Sequence, residues 1–232
     1  MIKLKISLMT ILICIASSSL AESIINDVSL TLLRGHNYEL GDDERTVTTF
    51  EYVNVSTWGD YFMFVDRIMP ETGDDITYME LNPRLKLFDI NDSFIKSVYL
   101  SMQWERAETA DNLLIGPAID LNVEGFRYLK LNIFYRFNDN YDDNYQFTPA
   151  WAVPFNVGDQ SWLFDGFIDW TNPTPQKASS MNFTTQIKWN ANRLLNTENN
   201  LYLGFEYTYW NNKFGIEDVT ENNLNLLFKY HF

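Results

Sequence analysis

The chain has 232 residues, with 17 Lys and Arg against 31 Asp and Glu and a formal net charge of −14 at pH 7. This acidic balance argues against a nucleic-acid polymer as partner, since phosphate binding needs a basic surface. The one cysteine, Cys14, sits in the leading segment, so the remainder has no thiol for a disulfide framework, a thiolate metal site or a cysteine nucleophile.

Residues 1–21 read as a signal peptide. Lys3 and Lys5 precede an apolar stretch from Ile6 to about Ala16, and Ser19-Leu20-Ala21 offers small residues for cleavage. That stretch is too short to span a bilayer. Leu12 and Ile13 are too bulky for a lipoprotein cleavage box before Cys14. Losing Lys3 and Lys5 takes the formal charge from −14 to −16.

Beyond Ala21 the pattern has period two. Strand-like runs are predicted near 29–38, 45–55, 58–67, 76–88, 95–106, 112–123, 126–137, 144–155, 161–170, 181–190, 200–210 and 223–232, about twelve in all. In the fourth, Met79, Leu81, Pro83, Leu85 and Leu87 alternate with Glu80, Asn82, Arg84 and Lys86. In the seventh, Leu129, Leu131, Ile133, Tyr135 and Phe137 alternate with Lys130, Asn132, Phe134 and Arg136. The eighth carries Pro149, and like Pro83 it predicts a bulge or a locally widened pairing. The tenth is the clearest, with Met181, Phe183, Thr185, Ile187 and Trp189 against Asn182, Thr184, Gln186, Lys188 and Asn190. The last ends the chain, with Leu224, Leu226, Phe228, Tyr230 and Phe232 on one face. Acidic residues gather between the runs, as at Asp42-Asp43-Glu44, Asp74-Asp75 and Asp142-Asp143, and read as solvated loops.

No run after Ala21 approaches 18 apolar residues, so a membrane-embedded chain of this kind must be a closed barrel. A secreted sandwich or lipocalin-like barrel also alternates, but it turns its apolar face inward. Here one face carries large aromatics on nearly every strand while charge is interspersed on the other. Aromatics make up 16% of the chain, as two interfacial girdles would require. The predicted fold is therefore all-β: a transmembrane antiparallel β-barrel of about 12 strands, formed by residues 22–232 as a single domain in the outer membrane.

The other faces then line a lumen. Twelve strands leave a narrow passage, between the filled interior of eight and the wide channel of sixteen. Its predicted lining is mixed in sign, with Glu51, Asp60, Asp66, Glu80, Glu105, Asp120, Asp165, Asp169 and Glu206 against Arg84, Lys86, Lys130, Arg136, Lys188 and Lys229. Phe62, Phe64, Phe134, Phe167 and Tyr202 share those faces. Rings beside hydrogen-bonding charges suit a planar, polar, uncharged solute, since a base stacks on a ring with roughly 1–3 kcal/mol. The alternative is that opposite charges pair across the lumen and the rings fill space. Catalytic parts are scarce. After Ala21 the only histidines are His36 and His231, and neither has a His-x-Ser or His-x-x-x-His spacing. No catalytic residue, metal ligand or cofactor is expected.

Two strands carry a resemblance. Trp58-Gly59-Asp60-Tyr61-Phe62-Met63-Phe64-Val65-Asp66 and Tyr78-Met79-Glu80-Leu81-Asn82-Pro83-Arg84-Leu85 resemble adjacent strands of the Tsx-like nucleoside-specific channels of the outer membrane. Ile115-Gly116-Pro117-Ala118-Ile119-Asp120, Phe167-Ile168-Asp169-Trp170 and the terminal Lys229-Tyr230-His231-Phe232 are similar to further strands. Asn82 stands where that family often has an acid. The resemblance implies a monomeric 12-stranded barrel for nucleoside uptake, serving in some members as a receptor for phages or colicins. By motif, Asp60, Phe62, Phe64, Asp66, Glu80 and Arg84 would line the channel, with Glu51 and Asp169 beside them on the same inner face.

Overall fold

Val, Ile, Thr and aromatic residues dominate the alternating runs, and such side chains pack well on a pleated surface. In the computed structural model, which describes residues 22–192 and 200–232, every one of these runs is a strand. The predicted signal peptide, 1–21, lies outside the described residues. The strands are β1 (Ser23–His36), β2 (Arg45–Ser56), β3 (Gly59–Pro70), β4 (Ile76–Asp89), β5 (Ile95–Ala107) and β6 (Ala110–Leu121). They continue as β7 (Tyr128–Phe137), β8 (Asn144–Val157), β9 (Gln160–Thr171), β10 (Ser180–Asn190), β11 (Leu201–Asn211) and β12 (Glu221–His231). Their lengths run from 10 to 14 residues, enough for a tilted strand to cross the hydrocarbon layer.

Each strand pairs with its sequence neighbour, and β1 closes the barrel against β12, from Ser29↔His231 to His36↔Leu224. Closure pairs β1 with β12, so the sheet has no free edge strand facing lipid. β1 begins at Ser23 rather than near residue 29, because its first residues pair with β2 alone, as in Ser23↔Ser56. The other strands match the predicted runs to within three residues.

The prolines leave the register intact. Along β4–β5 the pairing is unshifted from Met79↔Arg106 to Lys86↔Tyr99, but Asn82 and Pro83 make no pair with β5. Pro149 behaves alike against β9, and Gly116-Pro117 against β7. A proline cannot donate to a ladder, so each removes pairing on one side only. Of the two alternatives expected at Pro83, the gap without a register shift is the locally widened pairing, and the bulge in this pair of strands lies at the Lys86/Phe88 step. Gly116 permits a close approach in such a gap: a Cβ there would lie 1.8 Å from the Ile133 carbonyl oxygen. Gly59 opens β3 with φ +148°, and a Cβ there would lie 2.0 Å from the Arg84 carbonyl oxygen.

Burial is inverted relative to a water-soluble barrel. On β12 Leu224, Leu226 and Phe228 are exposed outward, while Glu221, Asn223, Asn225 and Lys229 are buried inward. β1 repeats this, with Leu30 and Leu32 outside and Ser29 and Thr31 inside. Some apolar side chains also face inward, among them a small cluster of Leu33, Val47 and Leu227, against which Ile68 packs. A closed barrel with an apolar exterior and a polar interior has lipid as its outer solvent.

Glu22, the first described residue, and Phe232 lie at one mouth, here termed the terminal end. The loops 37–44, 71–75, 108–109, 138–143, 172–179 and 212–220 lie at the other, the far end. The last of these holds a 3₁₀ turn, Lys213–Gly215.

Candidate functional site

Pairing register assigns the inner wall. Glu51 faces Phe64 across β2–β3, Asp60 faces Arg84 and Phe62 faces Asn82 across β3–β4, and Asp169 faces Asn182 across β9–β10. Because directly paired residues share a face, Glu51, Asp60, Phe62, Phe64, Asp66, Glu80, Arg84 and Asp169 all point inward.

Toward the terminal half the wall is held by ion pairs. Arg84, only 1% exposed, donates Nε to Asp60 Oδ1 at 2.8 Å and Nη2 to Asp60 Oδ2 at 2.5 Å. Its Nη1 lies 2.9 Å from Asp120 Oδ1, an ion pair without hydrogen-bond alignment. The guanidinium sits 4.2 Å from the centre of the Tyr99 ring, whose hydroxyl donates to Asp120 at 3.1 Å. Lys130 joins from β7, with Nζ 3.3 Å from Asp60 Oδ2. Across the lumen, Lys188 pairs with Asp165 at 2.7 Å, and Lys229 pairs with Glu51. Glu51 also accepts from Ser29 at 3.1 Å. Arg136, nearer the far end, grips Glu105 with both terminal nitrogens at 2.8 Å.

Four inward carboxylates have a different environment. Asp66 accepts from the Thr49 hydroxyl at 2.6 Å. Glu80 accepts from the Tyr78 hydroxyl and, at 3.0 Å, from the Gln103 amide. Asp169 accepts from the Thr148 hydroxyl and, at 2.9 Å, from the Gln146 amide. Glu206 accepts from the Gln186 amide at 2.7 Å and the Asn225 amide at 3.4 Å. Among the described residues none of the four has a Lys, Arg or His within ion-pair distance. Rings adjoin them: Phe64 lies 5.8 Å from Phe62 on one side and 5.8 Å from Tyr78 on the other, centre to centre.

The far mouth is narrowed by the 37–44 loop. Tyr38 turns inward, and its hydroxyl donates to Asn225 Oδ1 at 2.8 Å. Arg45 covers its ring at 4.5 Å, and the Glu39 amide donates to Glu221 at 3.0 Å. Lys213 pairs with Glu221 beneath them. Burial raises the Tyr38 phenol well above its usual pKa and lowers the Lys213 ammonium, although Glu221 opposes the second shift. The terminal mouth has a smaller clasp, His231 Nδ1 at 2.8 Å from Asp27.

The charge pattern alone did not mark Tyr38, Tyr78, Tyr99, Gln103, Gln146 or Asn225, because they are neutral. The period-two pattern places Tyr78, Tyr99, Gln103, Gln146 and Asn225 on the inner face with their charged neighbours. Tyr38 falls inside the predicted 29–38 run with the parity of the outward Leu30 and Leu32, but β1 ends at His36 and the loop turns it inward.

A closed twelve-stranded barrel of this kind, apolar outside and lined by charge inside, is a transmembrane β-barrel of the outer membrane. Solved porins share the architecture. The KdgM porin superposes with a TM-score of 0.56 at 10% sequence identity, over 88% of this chain and 99% of its own, both alone and in complex with disordered oligogalacturonate. The NanC porin superposes with a TM-score of 0.57 at 12% identity, over 87% of this chain and 98% of its own. At such identities the likeness concerns the fold. The chain belongs to the family described as "Domain of unknown function (DUF5020)", whose model matches residues 28–232. No curated protein matches its sequence.

Proposed function

We propose that this protein is an outer-membrane channel for passive, selective passage of nucleosides or similar small polar solutes. The observation that carries the reading is the inward row Phe62, Phe64 and Tyr78, set beside Glu80. A planar base stacks on such rings with about 1–3 kcal/mol, and carboxylates and amides accept and donate to a ribose. The resemblance of the 58–66 and 78–85 segments to Tsx-like channels supports it, and those segments are neighbours in the barrel, paired from Gly59↔Leu85 to Ile68↔Ile76. An acidic oligosaccharide, such as the oligogalacturonate held by the KdgM porin, is not the solute proposed. The far loops 37–44, 71–75 and 138–143 contain no Lys or Arg and several acids each, which repel a polyanion.

In this reading residues 1–21 are an export signal, 22–232 form one domain, and the barrel acts as a monomer in contact with outer-membrane lipid. The test is conductance in planar bilayers. Adenosine or thymidine at millimolar concentration is expected to reduce the ionic current by occupying the lumen. Current that is indifferent to nucleosides, together with free passage of sugars, would defeat the nucleoside assignment.

A second reading is a structural or receptor barrel, for a phage or colicin, without selective transport. It is favoured by the near-complete burial of Arg84, Lys188 and Phe134 on the inner wall. Absence of current above background, with binding that depends on the far loops, is its expected signature.

A further inference from the structure

We infer that Asp66, Glu80, Asp169 and Glu206 set the charge preference of the lumen, and that it favours small organic cations over anions. The inference rests on the channel reading above. Through the middle of the inner wall each positive side chain is already neutralised: Arg84 by Asp60 and Asp120, Lys130 by Asp60, Lys188 by Asp165 and Lys229 by Glu51. Nearer the far end, Arg136 is held by Glu105. Little positive charge is left to attract a passing anion.

The four carboxylates are the converse. Their partners are hydroxyls and amides, which satisfy hydrogen bonds but do not cancel charge. A cation placed among them meets carboxylates with no Lys, Arg or His within ion-pair distance among the described residues, whereas an anion is repelled by them. Rings of Asp and Glu side chains select cations in pores by this mechanism.

Two further observations point to an organic cation. Tyr78 and Phe64 lie beside Glu80 with ring centres 5.8 Å apart, and a ring quadrupole attracts ammonium and guanidinium groups. Asn223 is inward on β12, 2% exposed, and neither atom of its amide has a hydrogen-bond partner. Its register neighbour is Thr208, and two residues further on Asn225 donates to Glu206. A buried amide with donor and acceptor both free is unusual in a finished structure and is explained by a polar visitor. Among the described residues no three His, Cys, Asp or Glu converge to chelate a metal ion, so the carboxylates act as separate charges along a path.

The experiment measures reversal potential in planar bilayers under a KCl gradient, then with choline or arginine chloride replacing KCl. The wild-type channel is expected to pass cations over anions by on the order of tenfold, the lower bound of electrostatic focusing in a charged cleft. The combined variant D66N/E80Q/D169N/E206Q removes the charge and keeps one acceptor oxygen at each position, losing one contact at Glu80 and at Glu206, which accept on both oxygens, and is expected to bring the ratio close to unity. If that variant does not fold, E80Q and D169N alone each move the potential part of the way. A wild-type channel that conducts but prefers anions, or variants that conduct with unchanged preference, overturns the inference while leaving the channel reading intact. A wild-type barrel with no current overturns both.

Discussion

Replacing Arg84 by alanine tests whether the inner wall is held by ion pairs. The side chain is 1% exposed and the Asp60 side chain 8%, so solvent screening is slight. Removing one partner of a buried pair costs about 3–5 kcal/mol, chiefly because the other charge is left uncompensated. Here two acids lose a partner, but Lys130 stays 3.3 Å from Asp60 and offsets one of them. Stacking on Tyr99 is lost as well, and such contacts contribute about 0.5–2 kcal/mol. The expected loss for Arg84→Ala is therefore near the lower end, about 3 kcal/mol.

The double variant R84A/D60A restores charge balance, leaving Lys130 opposite Asp120. It is expected to be more stable than Arg84→Ala alone, with a coupling energy of about 1–3 kcal/mol between the two positions. Unfolding by urea from detergent micelles, followed by tryptophan fluorescence, reads both quantities. A single variant within about 1 kcal/mol of wild type, or effects that simply add to within about 0.5 kcal/mol, would show that the cluster does not hold the wall together.

Leu226→Arg places a charge on the lipid face in the middle of β12, and is expected to destabilise folding into vesicles by about 2–4 kcal/mol. Gly116→Val drives a Cβ to 1.8 Å from the Ile133 carbonyl oxygen and is expected to reduce the yield of folded, heat-modifiable barrel, whereas Gly73→Ala, with nothing within 4 Å, carries only the local strain of a φ of +95° in the 71–75 loop and reduces it less. Tyr38→Ala removes the inward ring at the far mouth and its bond to Asn225, and single-channel conductance is expected to rise. Asp42 is held below its usual pKa by the Thr72 hydroxyl and backbone amide. Its pKa is depressed by the contact, so the contact is favoured above the ordinary carboxylate value and lost as pH falls through the depressed one. Hydrogen exchange at the Thr72 amide, corrected for its intrinsic rate, is expected to accelerate in acid, and Asp42→Ala to abolish that pH dependence.

Period two made the strands legible in the sequence, because the two faces of each strand meet different solvents and the residues record which is which. Met181–Asn190 and the terminal Leu224–Phe232 run show this most directly. Pro83 and Pro149 were ambiguous for a local reason. A missing N–H breaks pairing on one side, and only the neighbouring strand reveals whether register slips as well. Tyr38 was misplaced because the predicted 29–38 run extends the period two residues past the end of β1, into a loop that folds back into the mouth.

The partners of the inward charges were the least legible part, since they depend on how distant strands are staggered around the closed wall. Asp60 and Asp66 lie on the same face of β3, three inward positions apart, and the sequence gives them one description. Closure brings Lys130 from β7 to Asp60, 70 positions away in the chain, while Asp66 meets only the Thr49 hydroxyl. Glu51 and Glu206 divide in the same way, because β1 and β12 bring Lys229 to the first, and the second has amides. Neutralised carboxylates of the first kind join strands to one another. The second kind are held, among the described residues, by hydroxyls and amides, and they are what a solute entering from the acidic far mouth would meet.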